Sequence, residues 1–282
     1  MVEELPHIPD IERLSPRVIR ILGGNPSKFT LQGTNTHLIG TGSKRLLLDT
    51  AEGKPVWKDS LAEILKSENA TLSAVILTHW HPDHIGGIPQ VQALQPNVEI
   101  YKNDPSSGQI GFEDGKIFSV EGATLRAFHS PGHTTDHMSF ILEEENAMFT
   151  GDNVLGHGTA VFEDLASYMD SLERMQRQFK GRAYPSHGVV IEDGNAKIKE
   201  YIAHRKQRES EALELLGKKS PGGDEWWASM EMVKVIYAKY PEQYWGPAEG
   251  SLKQVLKKLE GDGKVRQRGE DGKWALAEKA AL

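Results

Sequence analysis

Four side chains of the kinds that bind metal ions fall within six residues of this chain. They are His79, His81, Asp83 and His84, and they follow the apolar, strand-like run at residues 74–78. Neutral imidazole nitrogens and carboxylate oxygens are good ligands for zinc and related divalent ions. A lone histidine in a loop is usually structural, whereas four such residues directly after a strand predict a metal site.

Three further candidate ligands, His133, Asp152 and His187, each follow another short apolar run. Rigid sheets that present loops at their strand ends are the usual way in which α/β proteins build sites. Two metal ions need about three protein ligands each and a bridge, so five histidines and two aspartates suffice for a dinuclear centre with a shared carboxylate. The three runs are residues 125–128, 147–150 and 182–185.

Short apolar runs alternate with amphipathic stretches, which predicts sheets covered by helices in an α/β fold. The sequence has no run of about 18 apolar residues, no signal- or transit-peptide pattern and no cysteine, so we expect a cytoplasmic protein. The formal charge of −7 argues against generic nucleic-acid binding. The predicted strands are residues 45–49, 74–78, 124–128, 138–142 and 147–150, and the predicted helices are residues 56–67, 88–95, 165–179 and 196–216.

A small second module is predicted after the long helix, which ends at Gly217, a residue suited to a helix C-terminus. We therefore expect a catalytic domain at residues 1–217, a linker at 218–224 and a winged-helix-like module at 225–282. Within the module, residues 230–240 and 248–259 are predicted helices, and residues 264–268 and 273–276 are predicted to form a hairpin. The module carries ten Lys/Arg and nine Asp/Glu, so it is nearly neutral. Residues 1–224 carry twenty-three Lys/Arg and thirty-one Asp/Glu, so they are acidic.

The ordered set of motifs resembles the metallo-β-lactamase superfamily. It consists of the block His79 to His84 with Gly86-Gly87, followed by residues 131–133, 150–152 and 186–188. The resemblance implies an αββα sandwich that holds two divalent metal ions, expected to be zinc. It assigns His79, His81 and His133 to one ion, Asp83, His84 and His187 to the other, and Asp152 to the bridge. A bridging carboxylate is similar to the glyoxalase II side of the superfamily.

Other segments narrow the resemblance to the lactamase-beta-2-like family. They are residues 23–26, 30–36, 121–126, 142–147 and 158–165, and the versions at residues 21–29 and 151–158 are most similar to fungal members. Some fungal members are thioesterases that release polyketides from acyl carrier protein, and animal relatives include single-strand endoribonucleases. Three residues depart from the expected pattern: His37 replaces Tyr, Ala51 replaces Gly, and Ser186 replaces Gly.

We expect a hydrolase in which a hydroxide generated between the two ions attacks the substrate. Asp83 and Asp152 are the catalytic carboxylates of this hypothesis, and Asp83 would hold the hydroxide as well as bind metal. A thiolate leaves readily because a thiol has a pKa of about 8.5. This favours release of a polyketide acyl chain from the acyl carrier protein domain of a polyketide synthase.

Several alternatives remain open from the sequence. The second hypothesis is a metal-dependent endoribonuclease that grips single-stranded RNA through the winged-helix module, and the third is a protein that mainly docks partners. His137 would orient a ligand, contact substrate or lie hydrogen-bonded in the core. His157 would line the pocket entrance, and Asn35 would lie near the pocket or form a turn. The cations that would support RNA binding are Lys253, Lys257, Lys258, Lys264, Arg266 and Arg268.

Overall fold

The computed structural model describes residues 5–269 and 271–277. Residues 1–4, 270 and 278–282, which belong to the predicted domains and hairpin turn, lie outside that description. The chain divides into two compact units, residues 1–163 with 167–199 and residues 164–166 with 200–282. The boundary near residue 200 falls inside the long helix Gly194–Leu216. The predicted domain limits at residues 217 and 225 therefore stay a prediction.

The first unit contains two sheets. Neighbouring strands of the larger sheet are antiparallel up to β4 and parallel from there on. Its seven strands, in both chain and spatial order, are β1 (Ile11–Ser15), β2 (Val18–Leu22), β3 (Asn35–Ile39), β4 (Lys44–Leu48), β5 (Thr71–Ile76), β6 (Glu99–Lys102) and β7 (Ile110–Gly111). The smaller sheet has the order β12-β11-β10-β9-β8, formed by β8 (Ile117–Val120), β9 (Ala123–His129), β10 (Met138–Leu142), β11 (Ala147–Gly151) and β12 (Ala183–Pro185).

The two sheets pack face to face through one apolar core, and helices cover the outer faces. Leu46 and Leu48 of β4 enter the core shared with Phe140 and Phe149 of the smaller sheet. Leu47, between them, points to the opposite face, because side chains alternate along a strand. The helices of this unit and its boundary are α1 (Pro55–Ser67), α2 (Pro82–Ile85), α3 (Ile88–Leu94), α4 (Leu165–Met175) and α5 (Gly194–Leu216).

Helices lie on both outer faces, so the predicted α/β sandwich is confirmed. Trp57 of α1 and Val91 of α3 are buried with Leu47 against the larger sheet. Arg174 of α4 stacks its guanidinium 5.0 Å from the ring centroid of Phe128, on the outer face of the smaller sheet. The layer order is therefore helix, sheet, sheet, helix.

After α5, the described part of the second unit contains two α-helices followed by a two-stranded antiparallel sheet, as the sequence predicts. These elements are α6 (Ser229–Ile236), α7 (Trp245–Gly261), β13 (Val265–Gln267) and β14 (Trp274–Leu276). Trp227 is buried and pairs through its backbone with Trp274 of β14. This tryptophan is therefore a packing residue. Within the residues described here, no helix is long and apolar enough to cross a membrane.

Helix α4 ends four residues before the predicted limit at residue 179. The side-chain amide of Asn195 donates hydrogen bonds to the carbonyl oxygens of Gln176 and Phe179, at 3.1 and 2.6 Å. These bonds satisfy carbonyl groups that a longer helix would otherwise pair. The helix can therefore end at Met175, although the apolar pattern of the sequence continues to residue 179.

Candidate metal centre

Two neighbouring parallel strands create the first part of the site. Leu48 of β4 pairs with Ile76 of β5, so the residues that follow both strands emerge side by side. His79 and His81 follow β5, and Pro82 then begins the single turn of α2. The backbone N–H of His84 donates to the carbonyl oxygen of His81, at 2.9 Å. This tight turn brings His84 back beside His79, with ring centroids 4.0 Å apart.

The smaller sheet supplies the other three predicted residues. His133 lies in the loop between β9 and β10, Asp152 follows β11, and His187 follows β12. Strands β11 and β12 are parallel neighbours, so Asp152 and His187 leave the same end of the sheet. His133 Nδ1 donates to the carbonyl oxygen of Val161, at 2.8 Å, so Nε2 is the ring nitrogen that can bind a metal ion.

The structure brings all seven predicted residues together in two groups. The ligand atoms of each group lie within 4.8 Å of one another, with His79, His81, His133 and Asp152 in the first group and Asp83, His84 and His187 in the second. In the first group, His81 Nδ1 lies 2.9 Å from His79 Nε2 and 3.0 Å from His133 Nε2. In the second, Asp83 Oδ2 lies 3.3 Å from both His84 Nε2 and His187 Nε2.

The two oxygens of Asp152 face different groups. Oδ2 lies 3.4 Å from His133 Nε2, in the first group. Oδ1 lies 3.4 Å from His84 Nε2 and 3.3 Å from His187 Nε2, in the second. A single carboxylate is therefore positioned to contact an ion in either group, which is the geometry of a shared ligand.

The buried polar atoms of the site fit divalent metal ions. His84 Nε2 and Asp152 Oδ1 are both inaccessible to solvent, and neither makes a hydrogen bond within the part of the chain that the structure describes. A buried polar atom without a partner is costly, and a coordinated cation would satisfy both atoms. Three imidazole nitrogens in the first group and two in the second, each with carboxylate oxygens, form donor sets typical of zinc-type ions.

The charges of the site follow from its burial and its mixture of histidine and aspartate. Burial lowers the pKa of His79 well below its usual range, so this imidazole is neutral. Burial also lowers the pKa of His187, but the carboxylates of Asp152 and Asp83 together outweigh it and the pKa rises to about 9. Although burial opposes it, His187 and His84 hold the pKa of Asp152 well below its usual range. Metal binding would therefore displace a proton from His187.

Asp49 is a site residue that the sequence reasoning missed. It follows β4, and its carboxylate Oδ2 accepts a hydrogen bond from His84 Nδ1 at 2.8 Å. The same side chain accepts hydrogen bonds from the backbone N–H and hydroxyl of Thr78. The available signal was its position, because Asp49 ends an apolar strand, as the recognised ligands do.

Two other contacts support the second group. Thr34 Oγ1 donates to Asp83 Oδ2 at 3.0 Å and receives a hydrogen bond from the Asn25 amide. The Asn35 amide donates to the carbonyl oxygens of Pro185 and Gly188, at 2.9 and 2.8 Å. Asn35 therefore holds the loop that carries His187, which is its role near the site.

A cavity of about 590 Å³ opens above the two groups. Its floor contains His81, Asp83, His133, Asp152 and His187. Its walls come from two loops, residues 28–31 and residues 155–161 without Gly156, and they include His157, as predicted for the entrance. Phe29 and Val161 are 65% and 62% exposed at these walls. The cavity therefore joins a polar floor to largely apolar sides.

Comparison with family models identifies both units. Residues 29–106 and 100–187 match the metallo-beta-lactamase superfamily, and residues 228–274 match the beta-lactamase associated winged helix domain. The predicted superfamily resemblance, sandwich fold and winged helix are thus confirmed.

Curated fungal proteins are similar along almost the whole chain. A "Lactamase-like protein ptaB" of Pestalotiopsis fici is 49% identical, covering 93% of this chain and 86% of its own. An "Atrochrysone carboxyl ACP thioesterase AacuM" of Aspergillus aculeatus is also 49% identical, covering 95% of this chain and 88% of its own. A further protein named atrochrysone carboxyl ACP thioesterase, from Claviceps purpurea, is 47% identical, covering 93% and 86%.

Two solved structures share the fold at low sequence identity. A metallo-beta-lactamase family protein of Thermus thermophilus aligns with a TM-score of 0.73 at 20% identity, covering 94% of this chain and all of its own. A beta-lactamase domain protein of Burkholderia ambifaria aligns with a TM-score of 0.79 at 18% identity, covering 98% and 96%. At these identities the two structures support the fold alone.

Proposed function

Because this chain belongs to the metallo-β-lactamase superfamily of metal-dependent hydrolases, we propose that it is a thioesterase that releases a polyketide acyl chain from an acyl carrier protein. The observation that carries the proposal is the Asp152 carboxylate, which faces both groups of ligand atoms at the floor of an open, apolar-walled cavity. Similar fungal proteins that carry the name ACP thioesterase supply the substrate class.

We assign one ion to His79, His81 and His133, the other to Asp83, His84 and His187, and Asp152 to both, with zinc as the ion in each position. When bound, two such ions supply Lewis-acid polarisation and activated water near neutral pH. The protein itself orients the substrate and the attacking water, and its cavity walls exclude other water. The pKa of Asp83 lies well below its usual range, because His84 and His187 outweigh the opposing effect of burial. Asp83 is therefore ionised and can accept a hydrogen bond from the attacking water.

The walls of the cavity suit an acyl chain. Phe29, Leu31, Leu155, Ala160 and Val161 line it, and burial of apolar surface contributes roughly 25 cal/mol for each Å². The thiolate leaving group has a pKa of about 8.5 when free, so the site needs no strong general acid. Cleavage of an RNA phosphodiester, by contrast, would expel a ribose alkoxide, a poorer leaving group that requires proton donation.

The cations that the ribonuclease hypothesis depends on are largely paired with carboxylates. Lys253 pairs with Glu249, and Lys258 lies between Glu209 and Asp262. Lys264, Arg266 and Arg268 pair with Asp262, Glu225 and Asp271. Five of the six side chains are thus neutralised locally, which disfavours a phosphate-binding surface in this unit.

The test combines metal analysis with parallel substrate assays. We expect about two divalent ions per chain by elemental analysis and hydrolysis of an acyl-carrier thioester that a chelator abolishes. Asp152→Ala should lower the hydrolysis rate by about 1000-fold or more, because the ions contribute several kcal/mol to the barrier. Cleavage of single-stranded RNA without thioester hydrolysis would overturn the proposal, as would a purified protein without stoichiometric metal.

A further inference from the structure

His137 lies beside the two ligand groups but belongs to neither. It follows the His133 loop, is fully buried, and its ring centroid lies 5.3 Å from that of His79. Both of its ring nitrogens are engaged within the protein. Nε2 accepts a hydrogen bond from the backbone N–H of Asp152, at 3.0 Å. Nδ1 lies 3.0 Å from the hydroxyl oxygen of Ser130 and 3.2 Å from the amide nitrogen of Asn153, which donates to the Ser130 carbonyl oxygen at 2.7 Å. His137 is therefore unsuited to bind a metal ion or substrate.

The contact with Asp152 determines which tautomer His137 adopts. A backbone N–H can only donate, so the nitrogen that receives it must be the unprotonated one. The proton of the neutral ring consequently lies on Nδ1 and is donated to Ser130 Oγ. The Ser130 hydroxyl in turn lies 2.9 Å from that of Ser139, which contacts the Thr150 carbonyl oxygen at 3.4 Å. The ring is thus held from both sides in one orientation.

His137 also connects the two chain segments that carry the ligands His133 and Asp152. The His137 carbonyl oxygen accepts a hydrogen bond from Ser130 N–H, at 3.0 Å, which closes the loop that contains His133. The ring also packs on Gly151, whose backbone has φ +55, and a Cβ there would lie 2.3 Å from His137 Nε2. His137 therefore joins the His133 loop to the Gly151–Asp152 turn.

We propose that His137 is a positioning residue that fixes the Asp152 backbone so that its two carboxylate oxygens point to different ligand groups. The inference rests on the proposed metal centre. If the Asp152 side chain turned away, both ligand groups would lose a ligand at once. The hydrogen bond at the Asp152 backbone therefore affects metal binding more than its own energy suggests.

Two substitutions separate positioning from packing. In His137→Gln, the amide oxygen can replace Nε2 as the acceptor, whereas His137→Phe fills the space without an acceptor. We expect His137→Gln to bind two Co²⁺ ions with a visible absorption spectrum like that of the unsubstituted protein. His137→Phe should lose about 10- to 100-fold in Co²⁺ affinity and show an altered spectrum. His129→Phe, which removes the hydrogen bond from the last residue of β9 to the Thr135 carbonyl oxygen in the same loop, is the matched control and should bind Co²⁺ normally.

Equal Co²⁺ affinity and spectra for His137→Gln and His137→Phe would overturn the proposal, as would equal losses in both. Absence of Co²⁺ binding by the unsubstituted protein would instead overturn the metal centre itself. The tautomer of His137 can also be measured by long-range ¹H–¹⁵N NMR spectra of metal-free protein labelled with ¹⁵N-histidine. This test does not depend on whether His137→Phe folds. With His137→Gln used to assign the signal, we expect the Nδ1–H tautomer, and an Nε2–H tautomer would also overturn the proposal.

Discussion

Asp49 and His84 form a direct hydrogen bond, with 2.8 Å between the carboxylate Oδ2 and the imidazole Nδ1. Asp49 is buried and adopts a left-handed backbone conformation, φ +60, which is uncommon for a residue other than glycine. That conformation turns its carboxylate towards Thr78 and His84 together. Although burial opposes it, the carboxylates of Asp152, Asp49 and Asp83 raise the pKa of His84 well above its usual range. Because Asp49 holds the proton on Nδ1, Nε2 is the atom that would give up its proton to an ion.

Replacement of this carboxylate by an amide should weaken metal binding. In Asp49→Asn, one orientation of the amide would place an NH₂ group against His84 Nδ1–H, and the other would lose a bond to Thr78. We expect a loss of about 10- to 100-fold in metal affinity, measured by competition with a chromophoric chelator. Asp59→Asn, an exposed site on α1, is the control. Wild-type affinity in Asp49→Asn would contradict the role given to Asp49.

Gly87 should not tolerate a side chain. A Cβ at this position would lie 2.0 Å from the Thr50 carbonyl oxygen and 2.6 Å from the Trp57 ring. We expect Gly87→Ala to destabilise the protein by about 1–3 kcal/mol in urea unfolding, since neighbouring backbone must move. Gly250→Ala provides a contrast in sign, because Gly250 lies inside α7 and a Cβ there would meet no described atom within 4 Å beyond its own helix turn. That change should stabilise by up to about 1 kcal/mol, and a loss of stability there would contradict the expectation.

A buried ion pair joins β6 to the segment after His133. Lys102 donates to Asp136, both side chains are 4% exposed, and Thr134 also donates to Asp136. Removal of one partner leaves a buried charge without compensation, so Lys102→Met should cost about 3–5 kcal/mol. The double variant Lys102→Met with Asp136→Leu should recover part of that loss. A double-mutant cycle from urea unfolding measures the coupling, and strictly additive losses would show that the pair is not coupled.

His37 should make stability depend on pH. Burial, followed by the charge of Arg20, lowers the pKa of His37 to about 3, whereas an unfolded histidine titrates near 6.5. Between these values the unfolded chain binds a proton that the folded chain does not, so stability falls as the pH falls from 6.5 towards 3. The contribution is about 1.4 kcal/mol for each pH unit.

His37→Tyr removes this titration and restores the residue that the family resemblance leads one to expect. Urea unfolding at pH 7, 6, 5 and 4 should give a shallower loss of stability for the variant than for the unsubstituted protein. At pH 7 and above the histidine is neutral in both states, so the slopes should agree there. Equal slopes below pH 6 would show that folded His37 titrates normally.

The ligand residues of the site can be predicted from the sequence because each follows an apolar strand. His79, His133, Asp152 and His187 are recognised in this way, and the structure brings them together. Asp49 shares that position after a strand, but its contact with His84 could not be predicted, since it depends on the parallel pairing of β4 with β5 and on a positive φ. Neither property leaves a pattern in the local sequence.

The strands at one side of the larger sheet escaped prediction for a different reason. In β2 and β3, Arg20 and His37 are buried in register opposite one another, so polar residues occupy positions where apolar ones are expected. Arg20 is compensated by Glu12 of β1. A strand whose buried charge is neutralised by a neighbouring strand does not show the apolar alternation on which sequence reasoning depends.

The floor of the cavity comes from the ends of strands, and its walls come from the loops at residues 28–31 and 155–161. Mutations can therefore accumulate in the walls while the reactive chemistry below them stays intact. A lineage with this architecture could diversify the molecules that it accepts by exchanging two short loops. Chimeras that carry the corresponding loops of a relative would be the natural route to new acyl preferences by design.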